Sequence, residues 1–67
     1  MTIAINLTPE EMTDLEQLLR EQVEEIRTEL RRTREPAYKT HVVDHLHAVE
    51  HILSEVSRVS RETLTAA

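Results

Sequence analysis

A chain of 67 residues makes one small domain at most, and with no cysteine it has neither a disulfide nor a Cys-based zinc site to reinforce a small core. The net charge of −5, from 13 acidic and 8 basic side chains, argues against general affinity for nucleic acid or an anionic membrane surface. Glycine is absent and Tyr38 is the single aromatic residue, which excludes a Gly-rich phosphate-cradling loop and a set of base-stacking rings.

The first element is short. Ile3, Ile5 and Leu7 alternate with Thr2, Ala4 and Asn6, the two-residue period of a strand-like segment over 2–7. A lone strand must pair, lie across a helix or fray, and a second copy across a two-fold axis is its simplest partner. No apolar run approaches the roughly 18 residues that span a bilayer, and the start has neither the basic residues nor the apolar stretch of a signal peptide. With the absent cysteine, which fits a reducing compartment, the expectation is a soluble, cytoplasmic protein.

A helix start follows. Thr8 is placed as N-cap, Pro9 occupies the first helical position, Glu11 completes a capping box, and Leu7 can staple onto Met12. Met12, Leu15, Leu19, Val23, Ile26 and Leu30 then recur at steps of three and four, predicting a helix over 9–33 with one apolar stripe. Pro36 removes a backbone donor and biases Glu35 away from helical geometry, so a turn is expected at 33–35. Tyr38, Val42, Leu46, Val49, Leu53 and Val56, with Ile52 on the flank, define a second helix over 36–59, followed by a frayed tail at 60–67 rich in Ser and Thr.

So short a turn predicts an all-α fold, an antiparallel two-helix hairpin in a single domain spanning 1–67. A lone hairpin would leave its stripe side chains about half covered. Half burial of such a set forfeits on the order of 10–20 kcal/mol, more than the roughly 5–15 kcal/mol of net stability typical of a domain. The expected remedy is a homodimer forming a four-helix bundle, with the stripe residues and Ile52 as oligomer interface. Leu18, Val43 and Val59 are off-stripe apolar positions that could enlarge a partner surface. Pro9 to Glu25 holds seven carboxylates and one arginine, whereas Arg27, Arg31, Arg32, Arg34 and Lys39 crowd the turn against Glu29 and Glu35. An acidic base and a basic tip favour hairpins packed tip to base.

Four histidines, His41, His45, His47 and His51, fall within the second helix. Spaced i, i+4, each pair could share a transition-metal ion, and Asp44 adds an oxygen ligand near His47 and His51. The pairs lie on different sides of the helix, so all four cannot serve one ion within a chain. The expectation is no metal and no cofactor. A pH-responsive cluster is an alternative, because histidine titrates near pH 6.5. Glu10 with Glu11, or Glu24 with Glu25, diverge by about 100° on a helix and make poor acid/base pairs. Ser54, Ser57 and Ser60 lack the glycine-marked sharp turn of an activated nucleophile. No catalytic residue is assigned.

The segment Ile3 to Leu19, with Leu7-Thr8-Pro9-Glu10-Glu11 at its helix start, resembles the opening of ribbon-helix-helix transcription factors. That resemblance implies two strands paired across a dimer in the DNA major groove. Here the helix continues through Val23 and Ile26 with no glycine turn, and Thr2, Ala4 and Asn6 supply no basic group for phosphate. A longer resemblance, over residues 3–56, is to small uncharacterised bacterial helical-hairpin proteins. It rests on the Leu7–Glu11 cap, Leu30-Arg31-Arg32-Thr33, Pro36-Ala37-Tyr38-Lys39 and Ile52-Leu53. These are caps, turns and core positions, so the resemblance implies a bacterial hairpin fold and no site residues. The resulting expectation is a non-enzymatic, self-associating adaptor, regulator or scaffold, with itself and other proteins as partners, no membrane and no nucleic acid. The alternatives are a metal- or pH-responsive helix and a DNA-binding regulator.

Overall fold

In the computed structural model, which describes residues 1–65 and side chains through 62, two helices pack against each other: α1 over Pro9–Arg32 and α2 over Pro36–Thr65. The start of α1 is held by reciprocal hydrogen bonds. The Glu11 backbone N–H donates to Thr8 Oγ1 at 3.1 Å, and the Thr8 N–H donates to Glu11 Oε1 at 2.9 Å. Two of the helix's orphan donors are thereby satisfied. At the other end the Thr33 N–H reaches the Leu30 carbonyl and its hydroxyl donates to the Glu29 carbonyl at 2.7 Å. Thr33 itself is extended, and α2 begins three residues later with Pro36. Arg31 and Arg32 in the last turn favour the negative end of the α1 dipole.

The connection returns α2 antiparallel along α1. Early residues of α1 meet late residues of α2, as the Glu16–Ser57 contact shows, while Glu29 near the turn meets Tyr38. Between these contacts lies the core of Val23, Ile26, Val42, Leu46 and Val49, with Leu19, Leu30 and Leu53 packed against it. Three of the five are valines, short enough to let the helix axes approach so that each side chain is covered by its neighbours.

The expectation that every stripe residue would be half covered in one hairpin is therefore corrected at its middle. Ile26 is 2% exposed, and the other four core residues are also buried. They have little area left for an interface with a second copy. The ends behave as expected: Met12, Leu15 and Val56 are half-buried, and Tyr38 and Ile52 are exposed at 48% and 47%.

Two further expectations change. Residues 2–7 form no strand, and among the described residues there is none for them to pair with, so the backbone donors a ladder would use have no sheet to enter. The tail is not frayed from residue 60, because α2 continues past Val59 to Thr65; residues 66 and 67 lie outside the described residues. Arg58 supports the turns around Val59. Its guanidinium pairs with Glu55 one turn before, at 2.7 Å, and Glu62 one turn after, at 3.0 Å, tying the turns on either side of Val59 together.

Removing a buried branched side chain from so small a core leaves a cavity that two helices cannot refill. Ile26→Ala is expected to destabilise the hairpin by about 2–5 kcal/mol, and Thr8→Ala, through the lost cap, by about 1 kcal/mol. Urea titration followed by circular dichroism reads both, and equal effects at the two positions would place the core elsewhere.

Candidate functional site

The open end of the hairpin carries a groove of about 510 Å³. Ile3, Ile5 and Leu7 of the N-terminal segment line it together with Met12 and Leu15 of α1 and Ile52, Val56 and Val59 of α2. His51 and Glu55 stand at its polar edge. Leu7 and Met12, placed either side of the capped helix start, sit together here, which brings the segment back over the helices. The segment does not close the groove, since Ile3 remains 82% exposed and Ile5 70%.

The two flanks of the hairpin differ in chemistry. On one, polar side chains span the helices: Ser57 Oγ donates to Glu16 Oε1 at 2.7 Å, and Arg27 pairs with Glu50 at 3.1 Å. Glu16 also holds Arg20 at 3.2 Å, so this half-buried carboxylate serves both helices. The other flank carries Tyr38, whose hydroxyl donates to Glu29, and the groove with Ile52. Neither Glu16–Ser57 nor Arg27–Glu50 stands out in the sequence. The available signal was positional, since these residues border the apolar stripes where two antiparallel helices face each other.

Charge is sorted along the length as expected. Arg31, Arg32, Arg34 and Lys39 at the tip take part in no ion pair among the described residues, although Arg31 donates to Thr28 Oγ1 at 3.2 Å. Glu10, Asp14, Glu21 and Glu25 toward the base are likewise in none. The tip therefore carries a net positive charge despite Glu29 and Glu35, and the start of α1 a net negative one.

All four histidines are exposed, and among the described residues no group of three or more His, Asp or Glu side chains is gathered where it could hold a metal ion. His41 stacks obliquely beside Tyr38, with ring centroids 6.3 Å apart, and Asp44 is exposed. Among the carboxylates and serines weighed for chemistry, Glu11 closes the cap, Glu24 pairs with Arg27 at 3.2 Å, and Ser57 joins the helices. Of the off-stripe apolar residues, Leu18 is 62% exposed, while Val43 and Val59 are half-buried.

No family model, curated protein or solved structure matches the chain. Among the described residues no helix is long and apolar enough to cross a membrane.

Three groups on α2 have shifted titrations, and one of them is the Arg58 guanidinium, raised by its hydrogen bonds to Glu55 and Glu62. Glu55 is held below the usual carboxylate range by its hydrogen bonds from Arg58. Tyr38 is raised above the ordinary 10.0 by its hydrogen bond to Glu29 and by that carboxylate's charge, since the neutral phenol donates and the phenolate would repel. A raised folded value means that this contact stabilises the hairpin below the unfolded value and is lost as pH rises through the folded one. Because Tyr38 is the only aromatic residue, phenolate absorbance reports it alone. Its midpoint is expected to fall in Glu29→Gln, and identical midpoints would remove the contact from the solution structure.

Proposed function

We propose that the chain is a non-enzymatic self-associating module, in which two hairpins pack tip to base about a two-fold axis to form a four-helix bundle that serves as a scaffold or adaptor. The supporting observation is how much surface a single copy leaves uncovered. A compact protein of 7.8 kDa is expected to expose about 4,400 Å² by the scaling of area with mass. One copy exposes 5658 Å², an excess of roughly 1,300 Å² over that scaling. A standard interface removes about 800 Å² from each partner. The excess is thus large enough for one full interface, and the exposed apolar side chains include Ile3, Ile5, Leu18 and Ile52.

The charge pattern supports the relative orientation. In a tip-to-base pair, Arg31, Arg32 and Arg34 of one copy approach Glu10 and Asp14 of the other, whereas tip-to-tip packing brings like charges together. Each exposed pair contributes about 0–1 kcal/mol, so charge selects the arrangement and apolar burial supplies the affinity.

Sedimentation equilibrium is expected to show a dimer whose dissociation constant rises from low salt to about 1 M, where the Debye length shrinks to about 3 Å. The triple reversal Arg31→Glu, Arg32→Glu, Arg34→Glu should weaken the dimer further at low salt and lose that effect at high salt. A folded monomer at every concentration would overturn self-association. A dimer indifferent to both salt and reversal would leave the orientation without support.

A further inference from the structure

Helix α2 carries a second series of positions beside the one that builds the core. It runs from Tyr38 through His45, Ala48 and Ile52 to Val59, with His41 and Glu55 at the intervening steps, so that residues recur every three or four. This spacing keeps the series in line along the helix, about 90° round from Val42, Leu46 and Val49. Its exposed members include Tyr38, His45, Ala48 and Ile52.

The series lies on the flank opposite the Arg27–Glu50 and Glu16–Ser57 contacts. Tyr38 marks that flank by reaching Glu29, and Ile52 by lining the groove. Leu18, about three turns before Glu29 on α1, falls on the same side. The large exposed apolar side chains of both helices are thus gathered on one flank, and the polar cross-links close the other.

We infer that this flank is where a second copy of the chain seats, with the two α2 helices running antiparallel about a two-fold axis that passes between Ala48 and Ile52. This inference rests on the self-association proposed above and specifies its face and register. Three observations select a second copy as the occupant. The uncovered area of one chain exceeds the roughly 800 Å² that a standard interface removes from each partner. The register is self-complementary in shape, because Ile52 of each copy lies over Ala48 of the other, a large side chain over a small one, twice by symmetry. It also brings His45 of one copy opposite Glu55 of the other, a pair complementary in polarity, twice by symmetry. Since the axis passes near the midpoint of α2, the same register lays the basic tip of each hairpin beside the acidic base of its partner.

The groove and the N-terminal segment extend the same contact. Ile3 and Ile5 remain open to water in one copy because the surface that covers them belongs to the other. The Leu18 side of α1 then forms the outer edge of the interface.

The register is tested by exchanging the large and small partners in the full-length chain. Ile52→Ala and Ala48→Ile are each expected to weaken the dimer at least about tenfold, one by leaving a hole and the other by overfilling the contact. The double exchange Ala48→Ile with Ile52→Ala should restore affinity to within about threefold of the natural chain. Because the chain has no cysteine, His45→Cys with Glu55→Cys provides an independent readout. These positions lie about 15 Å apart along one helix, too far for a bond within a chain, so a disulfide there must join two copies. It should form faster than in the control His47→Cys with Ser54→Cys on the other flank.

Circular dichroism of each variant separates loss of association from loss of fold. A natural chain that dimerises, but with no rescue on exchange and no preference of the 45/55 pair over the control, would overturn the register and the face while leaving self-association intact. A natural chain that is monomeric throughout would overturn both.

Discussion

Val23 and Ile26 of α1 meet Val42, Leu46 and Val49 of α2 over about two turns of helix, and the placement of every other side chain follows from that contact. It sets the rotation of each helix about its own axis. Once Ile26 faces inward, the three-and-four spacing of the helix decides which residues fall on the flanks and which face water. Short valines bring the axes close enough for the single hairpin to bury these five residues unaided. Toward the open end, Met12, Leu15 and Val56 are only half-buried, and the apolar surface continues outward into the groove.

The two flanks follow from the same rotation. On one, Glu16 and Ser57, and Arg27 and Glu50, come within hydrogen-bonding distance and satisfy one another across the helices. Such exposed bonds add little stability individually. On the other, Tyr38 with Glu29 is a cross-helix polar contact near the turn, and toward the base Ile52 is exposed beside a groove edged by His51 and Glu55. The large exposed apolar side chains of the two helices, Leu18, Tyr38 and Ile52, thus lie on one flank.

The histidines show how position governs chemistry. In sequence they form a dense cluster, yet on the helix the two pairs separate, and no third ligand joins either pair among the described residues. His41 instead lies beside the Tyr38 ring. The apolar N-terminal alternation has a similar outcome. Ile3, Ile5 and Leu7 share a side as their spacing suggests, but with no strand to pair with they line the helical groove.

What the amino-acid order determined by itself was local: the Thr8–Glu11 cap, the turn ahead of Pro36, the two stripes, and the sorting of charge between base and tip. These depend on residues within about one turn of one another or on period alone, so they can be read directly. The tertiary structure decided how far α2 runs beyond Val59, which stripe residues are enclosed by the hairpin and which remain exposed, and which flank is closed by polar contacts. Those outcomes depend on the distance between the helix axes and their rotation relative to each other. Both are set jointly by side chains some twenty residues apart in the chain, and no window along one helix contains them.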